Sequence, residues 1–382
     1  MSLEELPEFC LERWQSLRET KARILLSESG VEPLTIEALK DMGASLSLEK
    51  VVLGYGWTQG SPSLRHAIAD FLGGISPENV LVTNGSSEAN FLAVMTIVSP
   101  GDSVIVDMPN YMQVPGLLAW KRAEIFEAWR IREGQWQLPV GEIIDAVRRI
   151  KPRALFITSP NNPTGTIDWE ALEAIVAELR NTHTILVVDE VYRGLEIHGD
   201  TGKSALKLGI EHGVPVVVTG GLSKVFGLPG LRIGWLASNI SGIVEKAWSL
   251  KDYTTISPPR LSEVIATEAL RDPLRSRLIA RAKGIAKRNI EILRELLSGR
   301  EDLLEPYWPS AGAFLLARLP WAKDTMKLAE GLYEDRGVLV VPGECFDMPG
   351  YIRVGLGREN PSVAREEFEE LLEGLEKLRG SS

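Results

Sequence analysis

Cysteine is scarce: Cys10 and Cys345 are the only two in 382 residues. Two cysteines are too few for a disulfide framework, and such scarcity fits a reducing compartment. Histidine is sparse as well. His66, His183, His198 and His212 are scattered, with no Cys/His ligand spacing around them, which argues against a metal centre built on those residues. No apolar run reaches the ~18 residues that a membrane span needs. The start, Met1-Ser2-Leu3-Glu4-Glu5-Leu6, is acidic where a secretory leader would be basic and then apolar. Positive charge is outnumbered, with 42 Lys and Arg against 52 Asp and Glu for a net charge of −10. A dominant nucleic-acid surface and attraction to anionic lipid are both disfavoured. No internal repeat, low-complexity stretch or Gly/Ser linker interrupts the chain. A P-loop G-x-x-x-x-G-K-[ST] is missing, and so is a G-x-G-x-x-G opening a first βαβ unit. These absences leave the expectation of a cytoplasmic, acidic, soluble protein.

What is present is ordinary globular composition, 44 % AVILMFWYC and 25 % charged, in a length that suits about two domains at ~100–200 residues each. Short β-rich runs alternate with helical ones from residue 79 onward. Strands are expected at 80–83, 104–107, 123–129, 154–158, 184–188, 215–219 and 231–235. Helices are expected at 86–98, 114–121, 140–149 and 169–180. Continuous apolar strands alternating with helices indicate a mainly parallel sheet buried on both faces. Past residue 260 the texture changes to helices at 261–270 and 279–297, short strands at 314–319 and 338–341, and a last amphipathic helix at 363–378. The expected fold is α/β, with a large domain at 45–255. A smaller α+β domain at 256–382 is joined by an N-terminal arm, 1–44.

Ligands of open α/β sheets gather beyond the carboxyl ends of the strands, and the polar residues at those ends are distinctive here. Asn84-Gly85-Ser86-Ser87 follows a strand and opens a helix, which makes an anion site of free N–H groups; Ser before a helix also serves as an ordinary N-cap. Asp189 follows five uncharged residues, at the mouth of a buried strand. Ser159-Pro160-Asn161-Asn162-Pro163-Thr164-Gly165 ends the preceding strand and brings an amide near that carboxylate. Strand 215–219 delivers Gly220-Gly221-Leu222-Ser223-Lys224, a lysine on a turn of small residues and a candidate nucleophile. Arg232, read inside an apolar strand, needs a partner there, and a phosphate dianion is a natural one. An anion cradle, a carboxylate, an amide and a lysine at one sheet edge match the needs of pyridoxal 5′-phosphate (PLP).

From about Tyr55 to Arg353 the chain resembles the class I/II aminotransferases of the fold-type I PLP-dependent enzymes. The resemblance rests on Ser223-Lys224 with Gly227-Leu228-Pro229-Gly230-Leu231-Arg232-Ile233-Gly234, on Asn161-Asn162-Pro163-Thr164-Gly165, and on Asp189-Glu190-Val191-Tyr192. By position it implies that Lys224 carries the cofactor as a Schiff base and shuttles a proton, with Asp189 on the pyridine nitrogen. Asn162 and Tyr192 become donors to the phenolic oxygen. Gly85, Ser86, Ser87, Ser223 and Arg232 become the phosphate shell, and Tyr111 stacks on the ring face. Tyr55, with Gly60 and Leu64-Arg65 after it, resembles the segment whose tyrosine reaches the neighbouring subunit's phosphate, which implies a homodimer with shared sites. Arg353 resembles the arginine that forks onto the substrate α-carboxylate.

Three departures qualify the resemblance. Many members carry a phosphate-binding hydroxyl three residues before the lysine, where this chain has Gly221. Dicarboxylate-specific relatives carry an arginine shortly before a Pro pair; counted back from Pro258-Pro259, this chain offers Asp252 or Tyr253. The segment Ser27-Glu28-Ser29-Gly30-Val31-Glu32 departs from the family's glycine-acidic-proline segment and does not align with it. The implied activity is amino transfer between a non-dicarboxylic L-amino acid and a 2-oxo acid by ping-pong chemistry. A PLP-dependent lyase, cyclase or decarboxylase on the same scaffold is the alternative. A regulatory binding protein would need a fused DNA-binding module, for which no segment is free. Trp57, Tyr253 and Lys251 are candidates for the side-chain pocket.

Overall fold

A computed structural model describes residues 6–380; the acidic start, Met1–Glu5, and the terminal Ser381 and Ser382 lie outside the described residues. After a two-residue strand, β1 (Ile24–Leu25), the chain lays down β2 (Val80–Thr83), β3 (Ser103–Met108), β4 (Glu124–Trp129) and β5 (Ala154–Thr158). There follow β6 (Ile185–Asp189), β7 (Val216–Gly221) and β8 (Gly234–Ser238). The seven strands β2 to β8 form one sheet in the order β2-β8-β7-β6-β5-β3-β4. β8 is antiparallel to both neighbours, and the pairs from β7 across to β4 are parallel.

The apolar runs explain why this sheet is buried on both faces. Every residue of β2, β5, β6, β7 and β8 is buried. Successive residues point to opposite faces of a strand, so each run feeds two cores at once. Leu155, Ile157, Leu186 and Val188 pack into one core, whereas Phe156, Ile185 and Val187 pack into the other. Only the edge strand β4 is open, with Glu124, Glu127 and Trp129 exposed. Charge on an edge strand discourages pairing with another chain.

A second, antiparallel sheet comprises β9 (Glu305–Tyr307), β10 (Phe314–Arg318), β12 (Val341–Pro342) and β13 (Tyr351–Gly355), in the order β12-β13-β10-β9. β11 (Val338–Leu339) instead pairs in parallel with β1, so the N-terminal segment is stitched to a strand more than 300 residues away. The run expected as one strand at 338–341 is thus two, serving different sheets. The helix expected from 279 starts at Leu274 and continues to Leu297.

Two expectations need correction. Arg232 is not inside a strand. A 3-10 turn, Pro229–Leu231, precedes it, and Arg232 itself takes φ +50 before β8 begins at Gly234. Pro229 and Gly230 favour a turn over a ladder there. The two cysteines, too few for a framework, nonetheless meet in a Cys10–Cys345 disulfide with their Cα atoms 5.1 Å apart. Cysteine scarcity is therefore no argument for a reducing compartment in this chain. Among the described residues, no helix is long and apolar enough to cross a membrane.

Candidate active site

The C-terminal ends of β2, β5, β6 and β7 open on a cavity of about 300 Å³. Parallel strands deliver their ends to one edge, and β8 joins them by running backward. Its first residue, Gly234, pairs with Thr83 on one side and with Gly221 on the other. The turn before β8 therefore carries Arg232 to the same edge. Ser86 and Ser87 line the cavity from the end of β2; Asn162, Asp189, Tyr192, Ser223 and Lys224 line it from β5, β6 and β7. Tyr111, Arg232 and Arg353 complete the predicted set that converges there. Tyr55 does not take part; within one chain it is 88 % exposed, outside the cavity.

At one end of the cavity, backbone replaces side chains. Gly85 takes φ +85 at the start of the helix Ser86–Ile97, a conformation that glycine alone adopts readily. A Cβ on Gly85 would lie 2.4 Å from the Arg232 guanidinium, and one on Gly234 would lie 2.5 Å from the Ser86 nitrogen. Arginine and a helix N-terminus are thereby packed together. That arrangement suits a phosphate, because the first N–H groups of a helix have no intrahelical acceptor.

Asp189 is buried at the end of β6. One carboxylate oxygen accepts from Asn90 Nδ2 at 2.8 Å and the other from the Val191 N–H at 3.0 Å. Burial raises its pKa, opposed by those two hydrogen bonds and by the charge of Lys224. A buried carboxylate with no cation in contact favours a cationic partner, such as a protonated ring nitrogen. Asn90 is itself fixed, since its oxygen accepts from the Thr219 hydroxyl at 2.6 Å.

Arg353 projects from β13 and is only 2 % exposed. Its Nη1 donates to Asn162 Oδ1 at 2.8 Å and its Nη2 to the Ser27 carbonyl at 2.6 Å. Its Nε has no partner, and no carboxylate lies within ion-pair distance among the described residues. Burial lowers its pKa, yet a guanidinium stays charged, so the site favours a bound anion. Because the Asn162 oxygen is committed to Arg353, the donor end of that amide is the end left for a ligand. The Tyr192 hydroxyl donates to Ser29 Oγ at 2.9 Å.

Residues 25–374 match the family model for aminotransferase class I and II. The chain is a PLP-dependent aminotransferase of that family. An aspartate/prephenate aminotransferase of Thermus thermophilus is 32 % identical over 338 residues, 83 % of each chain. A capreomycidine synthase of Streptomyces vinaceus is 28 % identical over 365 residues, 94 % of this chain and 92 % of its own. A solved PLP-dependent aminotransferase from Streptococcus suis superposes with a TM-score of 0.89 at 26 % identity, over 98 % of each chain.

The residues present fit the cofactor. The aminotransferase offers in one cavity a helix N-terminus packed with Arg232, a buried carboxylate with no ion pair among the described residues, and a lysine. Gly221, the departure from the usual hydroxyl, also has a local reason. A Cβ there would stand 3.2 Å from the Ile233 carbonyl and 3.5 Å from the Ser86 nitrogen, so side-chain space is exchanged for close backbone packing.

Three parts of the site escaped the sequence reading. Asn90 sits one turn into the helix Ser86–Ile97, where it reads as an ordinary polar residue. Arg130, pinned between Asp107 at 2.7 Å and Asp168 at 3.0 Å, is fully buried. Burial pushes Asp107 up to about 6, against the pull of Arg130. This trio holds Thr158 N–H and Asn161, and so the loop that carries Asn162. The third part is the placement of Ser27–Glu32, the segment that did not align, whose Glu28 and Ser29 line the cavity. Gly30 lies against Lys224, where a Cβ would be 3.1 Å from its Cα, and Glu28 stands 4.0 Å from Lys224 Nζ. Trp57, Tyr253 and Lys251 do not line the cavity.

Proposed function

We propose that this aminotransferase moves an amino group between an L-amino acid without a second carboxylate and a 2-oxo acid, by ping-pong chemistry. The observation that carries this reading is the meeting of Lys224, Asp189 and an anion-seeking Arg353 in one cavity. PLP, when bound, supplies an electron sink for the bonds at the substrate Cα. Lys224 holds the cofactor and takes the proton from that Cα. Asp189 keeps a proton on the ring nitrogen, and Asn162 donates to the ring oxygen together with Tyr192, whose hydroxyl turns to it from Ser29. Gly85, Ser86, Ser87, Ser223 and Arg232 hold the phosphate, and Tyr111 packs on the ring. Arg353 grips the α-carboxylate and so fixes which Cα bond faces Lys224. Neither Asp252 nor Tyr253 can grip a second carboxylate.

The working unit in this reading is a homodimer in which Tyr55 completes the partner's phosphate site. In support, Val52, Leu53, Tyr55 and Trp57 are all strongly exposed in the single chain, and such an apolar run on a surface marks an interface. A lyase or cyclase outcome is the second reading, favoured by the likeness to a synthase across nearly the whole chain. The two separate in a simple experiment. With amino acid alone, the PLP-loaded enzyme should lose its cofactor absorbance in a single turnover, and a 2-oxo acid should restore it. Product release with the absorbance regained and no 2-oxo acid present would favour the second reading instead.

A further inference from the structure

Glu12, Glu19 and Glu28 line the same cavity as Lys224 and Arg353. They arrive from two places. Glu12 lies on the helix Cys10–Ser16 and Glu19 just beyond it, while Glu28 belongs to the cavity wall. Among the described residues none of the three makes an ion pair with an arginine, although the charges of Glu28 and Glu12 are felt by Arg353. Glu12 accepts from the Tyr111 hydroxyl, Glu28 stands 4.0 Å from Lys224 Nζ, and Glu19 has no ion pair among the described residues. Arg18, beside Glu19 in sequence, is occupied elsewhere: it pairs with Glu330 at 2.6 Å and stacks on Trp14. The carboxylates also feel one another. Glu19 is held above the usual carboxylate range by burial and by the charges of Glu28 and Glu12.

An acidic lining alone would be a solvated face. Here a second observation gives it direction. Arg353, buried with an unpartnered Nε, marks where the anionic end of the substrate binds, and Lys224 marks where its Cα lies. Apart from Arg232 beside the helix N-terminus, the remaining charged residues of the lining are carboxylates. A distal carboxylate would meet repulsion from them, and a neutral side chain would leave like charges uncompensated. A cation relieves both.

We propose that Glu12, Glu19 and Glu28 select an amino donor whose side chain ends in a cation, an amine or a guanidine. This inference rests on the transaminase reading above and narrows it to a substrate class. Tyr111 orients the Glu12 carboxylate, which couples the ring-packing residue to side-chain recognition.

The test pairs near-isosteric probes on the PLP-loaded enzyme, reading the cofactor absorbance as each is titrated. L-arginine against L-citrulline isolates the charge of a guanidine, and L-ornithine against L-norvaline that of an amine; L-aspartate reports the opposite sign. A charge pair worth about 1.4 kcal/mol is a tenfold preference, so at least one cationic member should bind about tenfold or more tightly than its neutral partner. Whichever pair shows the preference distinguishes guanidine from amine. In Glu12→Gln, Glu19→Gln and Glu28→Gln enzymes that preference should fall toward unity, and added salt should weaken it in the wild type. Citrulline and norvaline binding as tightly as arginine and ornithine would overturn the selection while leaving the transaminase reading intact. A preference that persists in all three variants would overturn the role of the glutamates. No spectral response to any amino acid would overturn both readings together.

Discussion

Asp189 holds its position in the cavity through two hydrogen bonds, one from Asn90 and one from the Val191 N–H. Both favour the ionised form, against the burial that raises its pKa. Removing the Asn90 donor leaves burial less opposed, so the carboxylate binds its proton more tightly. Asn90→Ala should therefore lower kcat by about tenfold, the scale of one hydrogen bond to a charged group, and move the acid limb of the pH–rate profile to higher pH. Asp189→Asn, which abolishes the charge, should cost about 10²-fold or more. Unchanged kcat and pH profile in Asn90→Ala would remove that residue from the mechanism. The two residues also mark how far single positions were readable. Asp189, Lys224 and Arg353 stand out because a charge beside an apolar strand requires a reason. Asn90 is a polar residue on a helix, and its partner lies 99 positions away. Nothing local distinguishes it.

Among elements, the parallel strands were legible because burial on both faces demands continuous apolar runs, as in β5, β6 and β7. The turn into β8 was misread because Leu231, Ile233 and Trp235 extend the apolar pattern back over residues that Pro229 and Gly230 hold in a turn. The consequence is functional, since that turn delivers Arg232 to Gly85. The N-terminal segment shows the opposite case. Its two-residue strand β1 and seven-residue helix Cys10–Ser16 are too short to give a periodic signal, and their placement depends on distant partners. β1 pairs with β11, Trp14 Nε1 donates to the Val340 carbonyl at 2.9 Å, and Cys10 is bonded to Cys345. Closing so long a loop restricts the unfolded chain. It also holds the helix that carries Glu12 against the cavity.

On the scale of the whole molecule, one chain leaves Tyr55 88 % exposed while its resemblance assigns it to a phosphate site. The proposed homodimer would reconcile the two. Val52 and Leu53, both 79 % exposed, lie beside it in sequence, and a surface so apolar is stabilised by being covered. Light scattering should give twice the chain mass, and Tyr55→Phe should retain PLP less tightly; a monomer that retains cofactor fully would contradict the shared site. The central claim is narrower than the assembly. It is that the lysine between the anion cradle and Asp189 carries the cofactor. Borohydride reduction of the PLP-loaded protein, followed by digestion and mass spectrometry, addresses it directly. The label should fall on the peptide containing Lys224 and vanish in Lys224→Ala; a label on another lysine, or one that survives that substitution, would contradict the account.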